Sequence, residues 1–314
     1  SKCKKILESN LVFFQKKYGH GVVVGTASLK LKTKKGMDTI TLPDDLSLED
    51  LQPVGVFDYC SSKVISRQQI ILNQNTFSFL IEGTKEVVFD NSSLSIDNSK
   101  FLIMKSGHCL MTEKLSESSN YRSVLMFFTT EALSKFVLKY ELDKNEPTKY
   151  KSVFSFENDR FVQGYVSSLL VISKLPKNIQ LKLLKVKFEE IMLYLIGIYG
   201  TEFLYSLLEK SSDITQKFIK TIEANCFKKM AIKELAFLCS MSVSTFKREF
   251  EKQYAESPIK WFLNKRLEYA QHLLKEEQKK SSEIYLEVGY ESLSSFIQAY
   301  KLKFGITPKQ QYKN

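Results

Sequence analysis

The chain has 314 residues, 43% hydrophobic and 26% charged, with a formal net charge of +11. That length suggests roughly two domains of ~100–200 residues, and the basic balance points to polyanionic partners. Five cysteines without a CxxC pair, three scattered histidines (20, 108 and 272) and no apolar run of about 18 residues argue against a disulfide scaffold, a zinc module and a membrane span. With no secretion signal to read, the expected compartment is the cytoplasm.

Residues 19–36, GHGVVVGTASLKLKTKKG, alternate enough for a hairpin, and 42–53, LPDDLSLEDLQP, read as a loop with a turn of helix. From Val54 to Phe128 the chain writes short β-branched and aromatic runs: ISRQQIILN, TFSFLIEG, KEVVFDN, LSIDNSKFLIMKSG and SVLMFF. Gly, Asn, Asp and Ser break them, which predicts an antiparallel barrel or sandwich. Helical spacing then dominates from Thr130 to Tyr205, with Thr130 as the expected first cap. Within 178–200, Leu181, Leu184, Phe188, Ile191, Leu195 and Ile198 recur at heptad intervals. That seam fits a helix packed on its own domain and equally a helix–helix dimer contact. Leu183, Val186, Leu193 and Ile196 lie off the seam, so the helix is expected to bury two faces. Residues 206–215 read as the linker between a domain at 1–205 and one at 216–314.

The last part is basic, with 18 Lys+Arg against 12 Asp+Glu from Asp213 onward. Its short segments read as helices: DITQKFIKTIEANCF, IKELAFLCS, SVSTFKREFEKQY, PIKWFLNKRLEYAQHLLKE, SEIYLEVG and LSSFIQAYKLKF. Ser242 is a good N-cap, Ser257-Pro258 is a start signal, and Gly289 and Gly305 are stops. FKREFEKQYAESP, Phe246 to Pro258, and FIQAYKLKFGITP, Phe296 to Pro308, keep their aromatics and endings in step. Each follows a short helix and a turn. This is helix-turn-helix spacing, in which the second helix enters the major groove while the first braces it. The helix between the units would span ~28 Å at ~1.5 Å per residue, near the ~34 Å of one DNA turn.

These residues resemble the AraC family of bacterial transcription regulators. Glu283-Ile284, Val288-Gly289-Tyr290, Ser294, Phe296, Tyr300-Lys301 and Phe304-Gly305-Ile306-Thr307-Pro308 carry the likeness, with Leu235-Ala236, Met241-Ser242, Phe246, Phe250, Pro258, Arg266-Leu267 and Ala270 upstream. The likeness covers about 100 residues and extends in layout to members that regulate type III secretion genes. It implies an α+β chain: an N-terminal cupin-like antiparallel barrel or sandwich with a helical dimerisation segment, then an all-α domain of two helix-turn-helix units joined by a long helix. It implies a transcription regulator, an activator, whose partners are double-stranded promoter DNA, a second copy of the chain and RNA polymerase. DNA-contacting positions carried over are Ser244, Thr245, Lys247 and Arg248 in the first unit. In the second they are Leu293, Ser294, Ser295, Gln298 and Lys301. Arg248 is the strongest candidate base reader, since arginine's planar fork suits guanine. The alternative is a solvated surface arginine paired with Glu249 or Glu251. Arg266 matches a position that holds the two units together, and Trp261 reads as packed core.

Four positions depart from the family pattern. The family usually has glycine where Ser240 and Ala255 stand, so these turns are expected to take another geometry. Tyr285 replaces a small residue and is expected to push its helices apart, and Gln298 brings no charge where the family often has arginine. The dimer contact is assigned to Leu181, Leu184, Phe188, Ile191, Leu195 and Ile198. No catalytic residue, metal or cofactor is expected: His108 and Glu113 are too few for a metal, and His108, before a strand, reads as exposed or capped. Adjacent Cys109 would point to the opposite face. The barrel is expected to be apolar inside, which fits a small apolar effector, and a regulatory protein is the alternative. Readings as a cupin enzyme fused to a DNA-binding module, or as a protein-interaction module with incidental charge, stay open.

Overall fold

The computed structural model describes residues 39–46, 52–142, 150–209 and 214–313; the hairpin expected at 19–36 lies outside them. Two five-stranded sheets form the N-terminal part. The first runs β1 (Thr39–Leu42), β3 (Ile65–Leu72), β8 (Gly107–Lys114), β5 (Thr84–Val88) and β6 (Ser93–Ile96). The second runs β10 (Val153–Glu157), β7 (Lys100–Met104), β4 (Asn75–Glu82), β9 (Tyr121–Phe128) and β2 (Val54–Ser61). Pairing is antiparallel throughout except between β1 and β3. A 3-10 turn at Asp44–Leu46 supplies the helical turn expected after β1.

The period-two alternation of the strands divides their side chains between two cores. Leu80, Leu102, Met104, Leu125 and Phe127 of the second sheet meet Ile70, Leu72, Val87, Cys109 and Met111 of the first. Phe77, Phe79, Phe101, Ile103, Val124, Met126 and Phe128 point the other way, under helices. These helices are α1 (Thr130–Lys139), α2 (Arg160–Ile172), α3 (Lys177–Tyr199) and α4 (Glu202–Leu208). The second sheet is therefore apolar on both faces.

Four expectations are corrected here. The cap of α1 is Thr129, whose side chain accepts from the Ala132 amide. The stretch 130–205 is not wholly helical, because VFSFE alternates at period two and pairs along β7 as β10. The linker is shorter than 206–215: Ser206 and Leu207 are buried within α4, and Ile214 already opens the next helix. Finally, Leu184, Phe188, Ile191 and Leu195 are buried in the chain's own core under the second sheet, and so are not available to a second copy. Of the assigned dimer contacts Leu181 is half-buried and Ile198 exposed. The off-seam residues Ile179, Leu183, Val186 and Leu193 form the exposed apolar stripe instead.

The C-terminal part is helical: α5 (Ile214–Asn225), α6 (Ile232–Leu238), α7 (Val243–Tyr254), α8 (Pro258–Lys275), α9 (Ser281–Ile284), α10 (Leu293–Phe304) and α11 (Pro308–Lys313). It has two cores. Phe218, Ile222, Leu235, Leu238, Phe246, Phe250 and Phe262 make one, and Leu267, Ala270, Leu274, Ile284, Val288, Phe296 and Tyr300 the other. Helix α8 feeds both, with Phe262 in the first and Leu267 in the second. The first core also takes in Val88 and Leu110 from the outer face of the first sheet. The layers thus stack as helices, sheet, sheet, helices.

Candidate nucleic-acid interface

Helices α6 and α7 form the first helix-turn-helix unit, and α9 and α10 the second. The two second helices are built alike. Ser242 caps α7 by accepting from the Thr245 amide at 3.1 Å, and their hydroxyls lie 2.9 Å apart. Ser292 caps α10 by accepting from the Ser295 amide at 3.2 Å, with the hydroxyls 2.8 Å apart. Such caps answer amides that the helix itself leaves open. The inward faces match as well, with Phe246 and Phe250 buried on α7 and Phe296 and Tyr300 on α10.

The turns take the geometry the sequence reading set aside. Ser240 has φ 60° and Ala255 φ 52°, the left-handed region that Gly305 occupies at φ 76°. Packing around α6 and α7 holds Ser240 and Ala255 there despite a cost on the order of 1 kcal/mol for each Cβ. The second unit's brace is shorter than expected. Helix α9 ends at Ile284, and turns carry the chain to Gly289, whose φ is 86°. A Cβ at Gly289 would lie 3.2 Å from Arg266 Nη1. The same guanidinium donates through Nη2 to the Lys228 carbonyl at 3.1 Å, so Arg266 on α8 touches loops of both units. Lys229 and Glu291 pair across the units at 3.1 Å, and Lys303 of α10 donates to the Asn264 carbonyl of α8 at 2.7 Å. Trp261 packs on Phe250, Tyr254 and Phe262. Tyr285 is half-buried against the second core.

On the outward faces, Ser244, Lys247 and Arg248 of α7 are exposed, and Thr245 is half-buried beside its cap. Glu249, one of the two carboxylates near Arg248 along with Glu251, is taken by Gln253 at 2.8 Å and Lys252 at 3.8 Å. On α10, Ser294, Ser295, Gln298 and Lys301 are exposed. Leu293 is half-buried and packs partly against the second core. The first unit therefore offers two cations on its outward face, Lys247 and Arg248, while the second offers hydroxyls, an amide and Lys301. Such a face can contact phosphates and read base edges in a groove.

Lys85, and the burial of Glu113 beside it, were not expected from the sequence. Lys85 and Glu113, only 2% and 4% exposed, pair at 3.3 Å between the sheets, and Lys85 Nζ donates to Ser78 Oγ at 3.0 Å. The interior is therefore not wholly apolar. The signal was there, since Lys85 shares its strand face with Val87, and Glu113 shares its own with Met111. The pair borders a cavity of about 50 Å³ lined also by Ile40, Leu72 and Met104. Cys109 is buried between the sheets, as alternation predicts. His108 is not an exposed side chain before a strand. It lies within β8, half-buried, its ring stacked on Phe237 at 4.7 Å and its Nδ1 2.8 Å from the Phe237 carbonyl.

Family models match two segments: a helix-turn-helix domain over residues 235–314 and an ExsA N-terminal regulatory domain over residues 75–207. The thermoregulatory protein LcrF of Yersinia pestis is 32% identical over 129 residues, 41% of this chain and 48% of that protein. The chain thus spans about half the length of the first curated relatives it matches. The HTH-type transcriptional regulator ExsA of Pseudomonas aeruginosa is 24% identical over 239 residues, 74% of this chain and 83% of that protein. Among solved structures, ToxT from Vibrio cholerae aligns at a TM-score of 0.37 with 15% identity, covering 83% of this chain and 98% of that one.

Proposed function

We propose that this chain, which resembles the AraC family of bacterial transcription regulators and among them the type III secretion regulators, is a sequence-specific DNA-binding activator. It acts on DNA in the cytoplasm without catalysing a reaction. Helices α7 and α10 enter successive major-groove segments, joined by the 18-residue α8. The observation that carries this reading is the pair of identically capped second helices, the first with Lys247 and Arg248 exposed away from its core. Arg248 and Lys247 supply base and phosphate contacts, with Ser244 beside them. Ser294, Gln298 and Lys301 act in the second unit, and the cap-bound Thr245 and Ser295 hydroxyls reach phosphates at most.

Selection of binding sites from random duplexes, followed by gel shift, tests this. The expected result is one enriched site of about two helical turns, with binding that falls steeply as salt rises. Arg248→Ala should weaken binding about tenfold or more, since a bidentate base contact is worth ~1–3 kcal/mol. Parent-like binding by Arg248→Ala and Lys247→Ala together would overturn the mechanism.

The N-terminal sheets read as a cupin-like barrel, and α1–α4 as its dimerisation segment. Pairing with a second copy uses the exposed stripe Ile179, Leu183, Val186 and Leu193, because the heptad seam is spent on the chain's own core. Sedimentation of Val186→Glu should report loss of the dimer. A cavity near 50 Å³ is small beside the ~150 Å³ that admits benzene, which favours a regulatory protein over an apolar effector. Contact with RNA polymerase goes with the activator reading.

A further inference from the structure

The chain has five arginines, at 67, 122, 160, 248 and 266, and Arg67 has no part in the interface described above. It lies in β3, where the register with β8 shifts between Ile65 and Gln68 and its backbone stands at φ 49°. This is a bulge, a device that re-aims a side chain out of the regular pleat. A non-glycine residue in the left-handed region costs free energy, so the surroundings must hold it there. What Arg67 reaches is Glu234 on α6, the brace helix of the first helix-turn-helix unit, 167 positions along the chain. Nε faces Oε1 of Glu234, and Nη2 donates to Oε2 at 2.8 Å, the two-pronged geometry that suits guanidinium and carboxylate.

The fork does not act alone. His108, on the neighbouring strand β8, stacks on Phe237 one helical turn further along α6. Asn225 Nδ2 of α5 donates to the Asp90 carbonyl at 3.1 Å, and Lys228 Nζ donates to Ser93 Oγ at 3.2 Å. Between these polar contacts Val88 and Leu110 are buried in the first unit's core. The first sheet therefore offers α6 an apolar seat with a charged clasp at one end. The reading face of α7 stays exposed in this arrangement, so the seat orients the first unit without covering it.

We propose that Arg67 and Glu234 form a latch that locks the brace helix of the first helix-turn-helix unit onto the outer face of the first sheet, making that unit and the N-terminal sheets one body. The latch is held by charge at an accessible edge and can be opened without unfolding either part. It stands apart from DNA reading: Arg67 and Glu234 are not among the groups assigned to DNA.

Amide hydrogen exchange over residues 231–238 of the full chain tests the latch. Arg67→Ala should raise exchange at least tenfold. Glu234 also accepts from the Ala231 amide at 2.8 Å, so its variant must spare that cap. Glu234→Gln keeps an acceptor there while removing the charge, and should match Arg67→Ala. The double variant should be no more open than either single one, because both remove one interaction. Arg122→Ala breaks a forked pair with Asp58 inside the second sheet and should leave residues 231–238 protected. Unchanged exchange in Arg67→Ala, or effects of the two single variants that add in the double, would overturn the proposal. Gel shifts on the same variants separate the two readings, since a failure to bind DNA by every form including the parent refutes the DNA reading and leaves the exchange result standing.

Discussion

At the scale of single residues, the left-handed turns carry the clearest energetic consequence. Ala255 closes α7 at φ 52°, and its amide bonds back to Glu251 as Gly305 bonds back to Lys301. Glycine suffers no Cβ penalty there. Ala255→Gly should therefore raise stability by about 0.5–1 kcal/mol in urea unfolding, with DNA binding unchanged. The buried pair Lys85–Glu113 behaves in the opposite way. Removing one partner leaves a charge without its counter-ion in a dry core. Glu113→Ala should cost ~3–5 kcal/mol, while Lys85→Met with Glu113→Leu should recover most of that loss. The three buried thiols belong to this scale too. Burial raises the thiols of Cys109, Cys226 and Cys239, those of Cys109 and Cys239 to about 12, and burial with Asp58 also raises that of Cys60; among the four described cysteines, alkylation of the folded chain should mark Cys60 first because it alone is exposed.

At the scale of elements, α3 shows how one helix can satisfy two readings of its pattern. The heptad seam and the off-seam stripe are both real, and the seam is taken inward because Phe128 of the second sheet and Phe136 of α1 pack against Phe188 there. Phe188→Ala should lower stability by ~3–5 kcal/mol as a cavity opens. Val186→Ala, on the exposed stripe, should change it by less than about 0.5 kcal/mol and act on association instead. Helix α9 makes a related point. Its sequence promised eight residues, yet the chain turns after Ile284 so that Val288 enters the core and Gly289 clears Arg266.

At the scale of the whole molecule, the contact between the first sheet and α6 should respond to acid. Burial holds the His108 imidazole below its ordinary range; the Phe237 carbonyl pulls it back up and Lys217 pushes it further down. Lys217 itself lies 3.9 Å from Asp90. The docked form thus binds fewer protons than the undocked one. The contribution of His108 to docking is complete above the ordinary imidazole value of about 6.5 and is lost as pH falls through the lower docked value. Small-angle scattering should report a larger radius of gyration at pH 5.5 than at pH 7.5, and His108→Phe should remove most of the difference.

Most strands between Ile65 and Phe128, the two capped second helices and most of their outward residues were legible in the sequence, because period, caps and stops are local properties of the chain. The sequence also determined that Cys109 and His108 face opposite ways. Only the tertiary structure decided which face of α3 is spent on the core, since both stripes satisfy helical spacing and the choice rests on what lies opposite. Only the fold brought Lys85 to Glu113 and Arg67 to Glu234, pairs whose members meet through sheet register and packing at long separation. Ser240 and Ala255 teach the same lesson in reverse: local preference argued for another turn, and the apolar packing of α6 and α7 outweighed it.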